Sequence, residues 1–307
     1  SGHIAGFIGV FLPAALILFL HAPRFPVAMF LGIVVMFAAL IVTWSVGSTG
    51  SALLSLLVWG VVAALVFRRH GGRPLHWPRL AAPVAAGLAL MAFYFLPHPL
   101  NPHHPSLWTE AFSSQRWEEG WPTRVAIWKT TLQMIDGHTV GGVGAGNFTL
   151  YYVQQIVPSL LADPALRPYA GLFTNDAHNE YLHVQAETGI AGSIALAALV
   201  LLFFGAVARE LRRTGAPSAD RLALIAAGAG ATTVLLDALM TFPFRLPAHL
   251  GALMLCLAVP AAVAPCGKAT RAGAAPARRL RRPPLRPVVW LLVAAALPAV
   301  VWQVRRV

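Results

Sequence analysis

The sequence predicts an all-α polytopic integral membrane protein with about eight transmembrane helices and one large outer loop containing amphipathic helices. Composition is the first observation. Of 307 residues, 57% are hydrophobic and only 11% are charged, against roughly 25% charged in a soluble domain. Mean hydropathy is +0.67. The second is spacing: the apolar residues fall in blocks of about 17–22, enough to cross a hydrocarbon core of ~30 Å as a helix. The third is cysteine usage. Cys256 and Cys266 are the two cysteines, too few for a disulfide framework or a thiolate metal site.

In chain order the spans read Ile4–Leu20, Val27–Thr43, Ala52–Phe67, Leu80–Leu96, Gly189–Ala208, Leu222–Met240, Pro247–Val263 and Val288–Trp302. Residues 1–97 thus hold four spans, 98–188 an outer loop, 189–264 three more spans, 265–287 a basic inner loop, and 288–307 the last span and tail. With the N-terminus outside, the inner connections collect 16 of the 23 Lys and Arg residues. Basic residues are retained on the cytoplasmic side during insertion, so this asymmetry sets the orientation. It also accounts for most of the net charge of +12 without a nucleic-acid partner. Arg305 and Arg306 are the exceptions, falling outside. The Pro-broken run Arg278–Pro287 reads as a topology determinant beside anionic head groups. No repeat of 20–50 residues is visible.

The outer loop differs chemically from the rest, holding eight of the 11 acidic residues. Loops longer than ~12–15 residues are usually functional or disordered, so the site is expected here. From Pro122 onward, Arg124, Ile127, Trp128, Thr131, Leu132 and Ile135 recur at helical spacing, an amphipathic helix at the membrane interface. Two readings of Arg124 stay open: snorkelling to lipid phosphate, or clamping a diphosphate through its planar fork. The glycine-rich stretch Gly141–Phe148 has no Lys-Ser/Thr after it and no strand before it. It meets neither phosphate-loop pattern, and reads more readily as a tight turn that brings backbones close together.

A second loop helix is expected to start with Asp176 as N-cap and to run through Glu187, placing His178 in its first turn. A neutral imidazole there suits a general base, and the positive helix end favours the neutral form. A backbone hydrogen bond is the plainer role. Glu180 and His183 share a face, but one carboxylate and one imidazole do not specify a metal site. Trp117, Trp121 and Trp128 suit either stacking on sugar rings or an interfacial belt.

The order Arg124-x3-Trp128, then Gly142-Val143-Gly144-x-Gly146-Asn147-Phe148, then His178-Asn179-x-Tyr181-Leu182-x4-Glu187-x-Gly189-Ile190 resembles the O-antigen ligase and polymerase superfamily. The later Phe242-Pro243-Phe244-Arg245-x-Pro247 resembles the segment that follows a span in these proteins. The resemblance implies a cofactor-free, metal-independent glycosyltransferase of the bacterial inner membrane, its active site facing the periplasm. Such enzymes transfer a glycan from an undecaprenyl diphosphate carrier to a hydroxyl of lipid-A core, a growing polysaccharide or a protein. It further implies His178 as general base, Arg124 and Arg245 as diphosphate ligands, and Asn179, Tyr181, Glu187, Gly144 and Gly146 in supporting or binding roles.

Two departures stand out. The alignable stretch for the family's Ser-Arg-Gly motif is Ser48-Thr49-Gly50-Ser51-Ala52-Leu53-Leu54, with Gly50 set at the arginine's place. One diphosphate ligand is thus expected to be missing or replaced, for instance by Arg116. Members also carry more spans before this motif, so the chain is read as N-terminally truncated. The rival reading is a small-ion, bicarbonate-like transporter. It needs ionisable groups within spans, and Asp237 and His249 are the clear ones.

Overall fold

The structure is a computed structural model that describes residues 2–21, 26–43, 45–70, 77–100 and 120–264. Seven of the eight expected spans fall within these residues, and each is a helix: α1 (Gly2–His21), α2 (Pro26–Thr43), α3 (Val46–His70), α4 (Ala81–Phe95), α7 (Glu180–Arg212), α8 (Ser218–Asp237) and α9 (Pro247–Val263). The segment expected as the outer loop contributes α5 (Trp121–Gly137) and α6 (Phe148–Ala162). Val288–Trp302, the basic loop before it, Arg116 and Trp117 lie outside the described residues.

Five helices are long and apolar enough to cross a membrane: α1, α3, the segment Pro78–Phe95 containing α4, α7 and α8; α2 and α9 are shorter apolar helices. The chain is an all-α polytopic membrane protein. Among the described residues no strand forms.

At the centre stands α8, whose sequence LALIAAGAGATTV is rich in small residues. Lipid gives apolar helices no hydrophobic reason to associate, so close backbone approach and interhelical hydrogen bonds do the work. A Cβ on Gly230 would stand 3.0 Å from both Cys256 Sγ and the Val10 carbonyl oxygen, and one on Gly228 would meet the Trp59 ring. Ser55 Oγ donates to the Ala229 carbonyl at 2.6 Å, and Trp59 Nε1 donates to Thr232 Oγ1 at 2.9 Å. Together with Gly6 beside Asp237 and His249 and Ser48 donating to Asp237, these contacts run α1, α3 and α9 antiparallel to α8. The N-terminal ends of α1, α3, α7 and α9 therefore gather with the C-terminal end of α8 at one end of the bundle.

At the opposite end of α7 and α8, Arg213 lies 3.2 Å from Glu210 Oε2 and donates to the Val263 carbonyl at 3.2 Å, while Arg221 donates to the Arg213 carbonyl at 3.1 Å. This knot ties the α7–α8 connection to the end of α9.

Gly189 divides α7 with φ 64° and ψ −161°. Its first two turns belong chemically to the outer loop, and the apolar stretch begins only at Gly189, where the sequence reading starts the span. The turn Gly141–Gly146 docks on this break. Val143 N donates to the Ala186 carbonyl at 2.8 Å, Gly144 N to the Glu187 carbonyl at 2.9 Å, and Ile190 N to the Thr139 carbonyl at 3.0 Å. The approach is so close that a Cβ on Gly142 would fall on the Glu187 backbone and one on Gly189 on the Val140 carbonyl.

Candidate active site

The outer loop has its own small core, in which Ile127, Met134, Ile135, Val143, Phe148, Tyr152, Ala177 and Ala186 are buried together. Helix α6 supplies Phe148 and Tyr152. It was not expected from the sequence, where Gln154, Gln155 and Pro158 interrupt the apolar pattern. The spacing Phe148, Tyr152, Ser159, all buried, is the signal that identifies it.

The expected N-cap at Asp176 is corrected by three residues. Helix α7 begins at Glu180, and its N-cap is Asn179, whose side chain accepts from Tyr181 N at 3.0 Å and Leu182 N at 3.1 Å. Asp176 instead closes the preceding turn, accepting from His178 N at 2.9 Å. His178 is thus not in the first helical turn but in the loop before it, with φ 48°, the one non-glycine positive φ among the described residues. Histidine tolerates this left-handed region better than most residues, yet such a backbone is held only where its surroundings fix it.

Several contacts fix it. Trp128 Nε1 donates to the Ala177 carbonyl at 2.9 Å, pinning the turn to α5. Glu180 N donates to the Ala238 carbonyl at 2.9 Å, and the Tyr181 hydroxyl to the Leu235 carbonyl at 2.7 Å, pinning α7 to α8. The buried Glu180 carboxylate accepts from Phe244 N at 2.9 Å. The Phe242–Arg245 segment is thereby drawn against the turn, and the Phe242 ring meets the His178 ring edge-on at 5.5 Å.

His178 keeps a side chain 34% exposed, with Nδ1 3.7 Å from Asp176 Oδ1. That distance is ionic reach, not a hydrogen bond. Partial burial holds its pKa below the ordinary 6.5; the Asp176 carboxylate opposes this and the Arg124 guanidinium adds to it. Arg124 therefore lies within electrostatic reach of the imidazole.

Glu187 forms a second cluster beneath the turn. Its Oε1 accepts from Phe148 N at 3.2 Å, its Oε2 lies 3.4 Å from Arg245, and its Oε1 lies 3.2 Å from His183 Nε2. The His183 contact falls outside hydrogen-bond geometry, and among the described residues Nε2 has no other partner. His183 Nδ1 accepts from Ala177 N at 3.3 Å, and its ring stacks on Phe148 at 4.3 Å. Among the described residues no group of three or more His, Cys, Asp or Glu side chains is placed to hold a metal.

The structure thus brings His178, Arg124, Asp176 and Trp128 together, and separately Glu187, Arg245 and His183. Asn179 and Tyr181 are committed to capping and to tying α7 to α8. Of the two glycines expected to bind, Gly144 directs its amide at the Glu187 carbonyl, while Gly146, φ 82°, faces open space. Gly50 is exposed, with no atom of the described residues within 4 Å of a Cβ built there. Asp237 is buried where α1, α3 and α8 meet, accepting from Ser48 at 2.7 Å and Thr241 at 2.9 Å. His249 is buried, with its ring edge-on to Phe7 at 5.8 Å. Asp176 is the member that sequence reasoning assigned only to a cap; its Asp-x-His spacing is the signal for a turn that points both side chains one way.

Residues 37–197 match the family model described as O-antigen ligase. No curated protein matches the chain significantly. The matched region runs from α2 into α7 and contains Arg124, the glycine turn, His178 and Glu187, with Arg245 beyond it. With more than half of its length in the match, the chain belongs to the O-antigen ligase family.

Proposed function

We propose that this protein transfers a glycan from an undecaprenyl diphosphate carrier to an acceptor hydroxyl at the periplasmic face of the bacterial inner membrane. His178 takes the acceptor proton and Arg124 holds the diphosphate. The family itself is one of ligase- and polymerase-type glycan transfer, with a polyprenyl-linked donor and a glycan acceptor in general terms. What supports the finer reading is the turn, held by Trp128 and shaped by Asp176, that presents a partly exposed His178 with the Arg124 guanidinium within electrostatic reach.

In the reaction the acceptor O–H bond breaks and the oxygen bonds to the anomeric carbon. The anomeric C–O bond breaks, and its electron pair leaves with the diphosphate. The guanidinium offsets the charge developing on that leaving group, which is the larger electrostatic demand. His178, neutral at pH 7, accepts the proton through Nε2 while Asp176 stabilises the imidazolium through Nδ1. Asp176 acts through His178 and is a positioning residue. The acceptor is lipid-A core, a growing polysaccharide or a protein hydroxyl.

The experiment is transfer by purified protein from a polyprenyl-diphosphate glycan to these acceptors. Glycan appearing on an acceptor with release of the carrier diphosphate is the expected result. Protein that transfers nothing yet moves bicarbonate across liposomes overturns the proposal.

A further inference from the structure

Helix α5 borders a concavity that the proposed chemistry does not use. Between its first turns and the 3₁₀ turn Pro164–Tyr169 lies a cavity of about 310 Å³, walled by Trp121 and Tyr169, with Val125 and Leu166 among its apolar lining and Lys129 at its edge. Leu166 is buried, whereas Trp121 remains 40% exposed. At the edge, Lys129 Nζ lies 2.7 Å from Asp163 Oδ2, in a pair that is 46% and 29% exposed.

Aromatic walls beside an ionised, open rim do not fit a protein core, which would bury Trp121 and desolvate the Lys129–Asp163 pair. A membrane interface accepts Trp and Tyr, and the lipid-quenching arm of the test below separates that occupant from a saccharide. A sugar ring has the complementary chemistry: an apolar C–H face that stacks on an aromatic ring, and hydroxyls that exchange charge-assisted hydrogen bonds with Lys and Asp. The volume is at the lower end of small-molecule sites, ~300–1,000 Å³, which suits a short stretch of saccharide. The groove is linked to the candidate active site through neighbouring residues of α5. Trp121 packs edge-on against Trp128 at 5.6 Å, and Trp128 holds the Ala177 carbonyl next to His178. Arg124 is one helical turn from Trp121 on α5, so the groove lies within reach of a glycan whose diphosphate Arg124 holds.

We infer that the groove between α5 and Pro164–Tyr169 is a saccharide subsite that holds sugar units of the donor glycan away from the reacting anomeric carbon. The inference rests on the glycan-transfer reading above, but not on the role of His178.

The test uses the full chain in detergent, and its probe is the water-soluble oligosaccharide released by mild acid from the strain's own carrier-linked glycan. By isothermal titration calorimetry the wild type binds it, and Tyr169→Ala and Lys129→Ala each weaken binding by about tenfold, with circular dichroism confirming the fold. His178→Ala binds as the wild type does. In transfer assays Tyr169→Ala raises KM for the donor while kcat and the acceptor KM hold. Four outcomes overturn the subsite: no binding by the wild type, unchanged affinity in both variants, a KM rise confined to the acceptor, or quenching of Trp121 emission by doxyl lipids in nanodiscs, with Trp121→Phe as the reference. Binding through the groove without any glycan transfer overturns the transferase reading and leaves the subsite standing.

Discussion

The Asp176 carboxylate receives the backbone N–H of His178 at 2.9 Å and lies 3.7 Å from Nδ1 of the same residue. One side chain thus shapes the turn that presents the imidazole and favours its charged form. The pH consequence has a definite sign. Burial and Arg124 hold the His178 pKa below 6.5 while Asp176 raises it, so the neutral base prevails at pH 7 and is lost only as pH falls below 6.5. The acid limb of kcat/KM should therefore lie below pH 6.5. Asp176→Asn keeps the turn's acceptor oxygen but removes the charge, and should move that limb lower still. A pH–rate profile checks this, and a limb that moves upward in the variant contradicts it.

The glycine turn yields a stability prediction. Gly142 (φ 67°) and Gly189 (φ 64°) combine left-handed backbone with no room for a Cβ, whereas Gly146 (φ 82°) has open space. The left-handed conformation alone costs a non-glycine residue about 1–2 kcal/mol. Gly146→Ala should lose roughly that, and Gly142→Ala and Gly189→Ala distinctly more, because the Glu187 and Val140 carbonyls must move. Thermal unfolding in detergent measures the order, and equal losses at all three positions would contradict the docking described.

Much of the fold is legible in the sequence because block length in lipid is a strong constraint: α9 coincides with the expected Pro247–Val263. The start of α5 is legible too, since Pro122 and the Arg124–Trp128 stripe mark it. The start of α7 is not. Asp176 and Asn179 are equally good caps by residue type, and the choice falls to Asn179 because Trp128, Ala238 and Phe244 hold the preceding turn from elsewhere. Those partners lie 49 to 64 residues from the groups they bind, a separation that local pattern does not encode. For the same reason, the Gly144 amide's destination and the pairing of Arg245 with Glu187 emerge only in three dimensions.

Arg124 should be needed for donor binding. Arg124→Ala should lower kcat/KM for the carrier-linked donor by about 10- to 100-fold, the worth of charge-assisted hydrogen bonds at ~1.5–3 kcal/mol. Arg124→Lys should recover only part of this, since an ammonium does not reproduce the planar fork. Donor titrations of both variants measure the effect, and full rescue by lysine would show that charge alone suffices.

The proposed reaction assigns leaving-group neutralisation to a guanidinium. Turnover should therefore survive EDTA, and loss restored by Mg²⁺ or Mn²⁺ would move that task to a metal.

The central claim is that His178 accepts the acceptor proton. The direct measurement is kcat and donor affinity of purified His178→Ala. A general base contributes roughly 10²–10⁴-fold, so kcat should fall by that factor while donor affinity stays close to that of the wild type. Wild-type turnover in His178→Ala would contradict the account.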